Sequence, residues 1–152
     1  FKKKAKKISE LTKDISEYLE ENVKLNFIRN KVTDKEYKIA YHSACSMQHG
    51  QKIHNVPINL IKKTGNKVFD IPDGHLCCGS AGTYNLLQSD IAKKLLKNKI
   101  LNIKKINPQF ITTGNIGCIT QITQGTKIPI LHTVEVMDWY TGGPKPHILK
   151  NL

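Results

Sequence analysis

Four cysteines hold most of the chemical potential of this 152-residue chain: Cys45, the adjacent pair Cys77 and Cys78, and Cys118. Between Cys45 and Cys77 lie 31 residues, and between Cys78 and Cys118 lie 39. Several chemistries compete for thiols spaced in this way. Buried cysteines often serve only as small apolar side chains. Two disulfides are opposed by a reducing interior, and sequence neighbours such as Cys77 and Cys78 pair poorly with each other. Structural zinc sites usually draw on C-x₂₋₄-C knuckles, and redox dithiols on C-x-x-C; neither is present. An iron–sulfur cluster has several irons at its corners, so it accepts two neighbouring thiolates and two distant ones. The spacing favours that reading and leaves bare or zinc-bound cysteines as the alternative.

The surroundings of the cysteines point the same way. Cys78 runs into Gly79-Ser80-Ala81-Gly82, a glycine-rich turn expected to open a helix. Free backbone N–H groups and a helix dipole there would stabilise thiolate and sulfide charge. Gly114-Asn115-Ile116-Gly117 repeats the arrangement ahead of Cys118. No lysine stands where a phosphate-binding loop requires one. His42 and His49 flank Cys45, and His75 precedes Cys77 by two positions, so hydrogen bonding to sulfur is expected of these three. His54 and His147 read as structural. No Ser/His/Asp set or carboxylate pair has a spacing suited to hydrolysis.

The elements that must position these cysteines follow from hydrophobic periodicity. Ile8, Leu11, Ile15, Tyr18 and Leu19 predict one amphipathic helix over 8–22, and 23–37 reads as a connecting stretch. Strands are expected at Tyr37–His42, Lys67–Ile71, Gln109–Thr113 and Ile128–His132. A helix is expected over Ser46–Lys63 with Pro57 interrupting it, another from Gly79, and a long one over Asp90–Ile106 capped by Ser89. In the long helix Ile91, Ala92, Leu95, Leu96, Ile103 and Ile106 share a face whose stripe Lys99 breaks. A helical turn should follow Cys118, and Thr133–Tyr140 should be helical. Apolar strands alternating with helices predict an α/β fold: a small doubly wound domain, a four-stranded parallel sheet with helices on both faces, preceded by the N-terminal helix. The organisation is then 1–36, a basic helix and connector, and 37–152, the cysteine-rich domain. Cys45, Cys77-Cys78 and Cys118 each follow a different strand. The carboxyl ends of parallel strands gather on one edge, so all four thiols should converge there, with His132 on the same rim.

Composition limits the partners. Lys plus Arg number 24 against 12 Asp plus Glu, a net charge of +12, yet Arg29 is the only arginine. Base and phosphate recognition lean on the planar guanidinium, so solvated lysine faces are expected and no nucleic-acid partner, the lysines of 93–105 included. No apolar run approaches the roughly 18–20 residues that cross a bilayer. The chain opens on Phe1 and three lysines, without Met or a signal-peptide core, and is expected to be a piece of a longer intracellular polypeptide.

The strings YHSACSMQHGQK, HLCCGSAGTYNLLQ, TGNIGCITQI and HTVEVMDWYTGGPKP, spread from Tyr41 to Pro146, carry a resemblance. They resemble the cysteine-rich CCG domain shared by heterodisulfide reductases, lactate-utilisation iron–sulfur proteins and the glycolate oxidase iron–sulfur subunit, the last most closely. The family pattern is a cysteine, a long gap, Cys-Cys-Gly, a second long gap and a closing C-x-x-C. Cys45, Cys77-Cys78-Gly79 and Cys118 match it, while Asn115 stands in place of the first cysteine of the closing pair. The resemblance implies Cys45, Cys77, Cys78 and Cys118 as metal ligands, with Gly79 beside the cofactor. Four thiolates suffice for an ordinary 4Fe–4S cubane.

The resemblance further implies an electron-transfer subunit of a flavin-dependent glycolate dehydrogenase complex, relaying electrons from glycolate toward a membrane quinone. FAD is then expected only on the flavin-binding partner subunits, and no substrate-oxidising site on this chain. A cytoplasmic location is implied, with peripheral contact at the cytoplasmic face of the inner membrane. The family's ferredoxin-like region and its earlier copy of this domain are missing from the sequence, so the chain is expected to be a C-terminal portion. The alternative is a non-redox structural or interaction domain.

Overall fold

Apolar, β-branched segments make the centre of the sheet. β1 (Lys38–Tyr41) and β3 (Phe110–Thr113) lie side by side, β2 (Lys67–Asp70) flanks β1, and β4 (Ile130–His132) flanks β3. The order is β2-β1-β3-β4, and every pair is parallel, with Ile39 opposite Val68 and Phe110, and Ile111 opposite Ile130. The computed structural model describes residues 1–28 and 32–152; Arg29 and the rest of 29–31, within the expected connector, lie outside the described residues.

Side chains alternate between the two sheet faces, as a pleated strand requires. Ile39, Tyr41, Phe110 and Leu131 join one core with α3 (Val56–Lys63) and α7 (Thr133–Thr141). Ala40, Ile111 and Ile130 join a second core with α5 (Ser89–Ile106) and α6 (Ile116–Thr123). The predicted α/β architecture is therefore present, a four-stranded parallel sheet with helices on both faces. The edge strand β2 departs from the expected apolar character: Lys67, Phe69 and Asp70 are exposed, and among the described residues it pairs with β1 alone.

Several element boundaries differ from expectation, each for a local reason. The N-terminal stripe is divided into α1 (Lys2–Leu11) and α2 (Ile15–Asn22). Asp14 caps α2, accepting from Ser16 N at 2.9 Å, while Glu17 accepts from Asp14 N at 3.0 Å, a reciprocal capping box that starts a new helix. No residue of α1 is buried, and Ile8, Leu11, Ile15 and Tyr18 are exposed, so only Leu19 of the predicted stripe packs on the core. The helix expected over Ser46–Lys63 is a π-helical turn, Ser46–Gln51, ended by left-handed Lys52, and then α3 with Pro57 inside its first turn. Proline there stabilises a start rather than interrupting. No helix begins at Gly79; the chain turns until the short α4 (Tyr84–Leu87). α5 starts after Gln88 without a side-chain cap, so Ser89 does not perform the capping role expected of it. Ile91 is exposed, whereas Lys99 is buried on the inner face.

Candidate metal centre

A doubly wound sheet has a switch point where successive crossovers leave in opposite directions, and ligands bind beyond the strand ends there. Here it lies between β1 and β3, since β2 lies on one side of β1 and β3 on the other. Cys45 follows β1 and Cys118 follows β3, so these two flank the switch point; Cys77 and Cys78 arrive from the loop after β2. The convergence expected from each cysteine's place after a different parallel strand is realised. All four cysteines line one cavity of about 390 Å³, together with Ala44, Ser80, Gly82 and Asn115. None is in a disulfide; Cys78 and Cys118 are buried, Cys45 and Cys77 half-buried.

Backbone geometry fixes each sulfur. Gly79 has φ +97°, and its amide donates to Cys77 Sγ at 3.3 Å. A Cβ at Gly79 would sit 2.5 Å from the Ala92 carbonyl oxygen on α5, so only glycine lets the loop pack this closely. The N–H groups are thus presented by a turn, without the helix dipole expected there. Cys118 lies in the first turn of α6, and Asn115, standing where the family pattern has a cysteine, caps that helix by accepting from Cys118 N at 3.1 Å.

His42 is the histidine that reaches the sulfurs. It is 0% exposed, its backbone N–H is tied to Thr112 O at 2.9 Å, and one of its ring nitrogens lies with Cys78 and Cys118 Sγ within 4.8 Å of one another. Neither ring nitrogen has a hydrogen-bond partner among the described residues, and the imidazole beside Cys78 helps to hold that thiol's pKa down. His49 and His75 are exposed. His132 caps α7, its Nδ1 accepting from Val134 N at 3.2 Å, and does not line the cavity. The thiols influence one another strongly. Cys118 donates toward Cys78, which holds Cys78 below the ordinary thiol range and pushes Cys118 above it. Burial, then the Cys77 charge, pushes Cys45 up to about 11. The buried Lys99, behind this loop, is not foreseen from sequence, because a lone lysine in an apolar stripe looks like an interruption.

Fold and cavity together define a cysteine-rich α/β domain. Residues 39–123 match the family described as CCG, cysteine-rich domain, and the chain belongs to that family. It is similar to the glycolate oxidase iron-sulfur subunit of Escherichia coli (strain K12), 38% identical over 136 residues, 89% of this chain and 32% of that protein. Lactate utilization protein A of Geobacillus sp. (strain WCH70) is 24% identical over 144 residues, covering 91% of this chain and 59% of the relative. The uncharacterized protein YkgE of Escherichia coli (strain K12) is 23% identical over 106 residues, 66% of this chain and 44% of that protein. The chain thus spans between 32% and 59% of the length of these relatives. No helix among the described residues is long and apolar enough to cross a membrane.

Proposed function

We propose that the chain is the cluster-holding, electron-transfer part of an iron–sulfur subunit, with Cys45, Cys77, Cys78 and Cys118 as ligands and Gly79 shaping the loop beside the cluster. One observation carries the reading: four cysteines, from segments that follow three different strands, line a single cavity at the switch point of the sheet. The residues fit such a group. The cavity is lined by thiols from three directions, and a fully buried imidazole with unpartnered nitrogens faces two of them. A bound cluster supplies one-electron transfer. With four thiolates in place, a 4Fe–4S cubane is the type we assign. The protein's own contribution is to hold the sulfurs, exclude water around Cys78 and Cys118, and offer the Gly79 amide to Cys77.

The similarity to glycolate oxidase and lactate utilization proteins supports a place in a multi-subunit oxidase complex. In our reading flavin-binding subunits oxidise glycolate and this chain passes the electrons toward a membrane quinone at the cytoplasmic face. Residues 37–152 form the cysteine-rich domain, and 1–36 are appended to it. Leu76 on the cysteine loop, Leu86 and Leu87 of α4 and Ile116 at the start of α6 are exposed, and in our reading they supply an apolar surface for the partner.

A second reading is favoured by one feature. His42 with Cys78 and Cys118, ligand atoms within 4.8 Å of one another, suits a single tetrahedral zinc. Elemental analysis of protein purified without oxygen separates the two. The proposal expects iron with acid-labile sulfide, both reduced by Cys45→Ser, Cys78→Ser or Cys118→Ser. Zinc without iron, lost on changing His42, would establish the second reading instead.

A further inference from the structure

A lysine in a protein core needs an explanation. Lys99, on the inner face of α5, is 2% exposed. Its Nζ donates to the Asp73 carbonyl oxygen at 3.1 Å, and no carboxylate is ion-paired with it among the described residues. A buried ammonium left without a counter-charge is costly, so it persists where an anion faces it. The groups acting on Lys99 are foremost the sulfurs of Cys78, Cys45 and Cys77, then Asp73. Burial holds its pKa below the ordinary lysine value, and those neighbours offset part of that fall. Reciprocally, Lys99 opposes in small part the burial and neighbouring charge that push the Cys45 thiol up.

The loop that delivers Cys77 and Cys78 is built around this residue. One turn along α5, Asn102 Nδ2 donates to Pro72 O at 3.0 Å and to Asp73 Oδ2 at 3.1 Å. Lys99 and Asn102 together hold residues 72–73 on the helix, with the ammonium behind the cysteine loop. Lys99 does not line the cavity and so is not among the ligands; its ammonium is bound at Asp73, on the loop that runs on to Cys77 and Cys78. The other lysines of this helix are exposed, where water and salt screen them.

We propose that Lys99 is the built-in counter-ion of the cysteine cavity, a fixed positive charge that offsets the negative charge of the bound iron–sulfur group and raises its reduction potential. The proposal rests on the ligand reading above. One electron taken up without a proton adds one negative charge to the cavity, and a nearby fixed cation stabilises that added charge. Lys99 is a positioning residue in this sense, acting through the sulfurs.

The test is a mediated redox titration, followed by electron paramagnetic resonance, of the anaerobically loaded chain and its Lys99→Met and Lys99→Arg variants. For Lys99→Met the reduced-to-oxidised ratio at the wild-type midpoint should fall about tenfold, a one-electron shift of about 59 mV to more negative potential. Lys99→Arg keeps the charge and should restore most of the wild-type value. Lys99→Gln repeats the titration should the Met variant fail to fold. A midpoint unmoved in the loaded Met or Gln variant, or moved equally by Arg, overturns the counter-ion role alone. Wild-type protein that takes up no iron overturns the ligand reading and this proposal with it.

Discussion

Tyr41 shows how the core beneath the cavity handles polar atoms. Its ring is buried at the end of β1, its hydroxyl has no hydrogen-bond partner among the described residues, and the Ser43 hydroxyl nearby is equally unpartnered. Burial holds the phenol well above its usual range near 10. Above pH 10 the unfolded chain therefore releases a proton that the folded chain keeps, and stability falls as pH rises through that region. Tyr41→Phe removes this dependence and a desolvated hydroxyl. Urea melts should place the variant within about 1 kcal/mol of wild type at pH 7 and increasingly above it past pH 10. The four cysteines were legible as a group because each follows a predicted strand, whereas His42 was expected to reach sulfur only alongside His49 and His75, both of which are exposed. Lys99 was not legible in that way, since its partners come from loops far off in sequence.

At the level of elements, the glycine turn after Cys78 illustrates what local pattern can and cannot supply. Its composition marks a turn, but Gly79 is required by its contact with the Ala92 carbonyl across to α5, and no helix starts there. Gly79→Ala forces a side chain into left-handed backbone and against that oxygen, and should destabilise the fold by about 1–3 kcal/mol in thermal or denaturant melts. An unchanged melting temperature would mean that the loop can move away from α5. The central strands β1 and β3 were readable because buried parallel strands are apolar throughout. β2 was readable as a strand but not as an exposed edge, since edge position depends on pairing order. The division between α1 and α2 was written in Asp14 and Glu17, yet an uninterrupted apolar period over Ile8–Leu19 masked it.

For the whole molecule, the cavity joins segments that follow three different strands, so a ligand bound by all of them should brace the fold. Binding to the native state alone raises stability by mass action. Stripping the metal with a chelator should lower the melting temperature, each kcal/mol of lost binding being worth about 2–4 °C at this chain length. Equal melting with and without metal would place the bound iron outside the cavity. The claim on which the rest depends is that sulfurs of Cys45, Cys77, Cys78 and Cys118 bind one iron–sulfur centre. Mössbauer spectroscopy of ⁵⁷Fe-loaded protein, beside Cys45→Ser and Cys118→Ser, tests it most directly. The account predicts a spectrum of iron in tetrahedral sulfur coordination that both substitutions diminish; iron in oxygen or nitrogen coordination, or a spectrum indifferent to both changes, would contradict it.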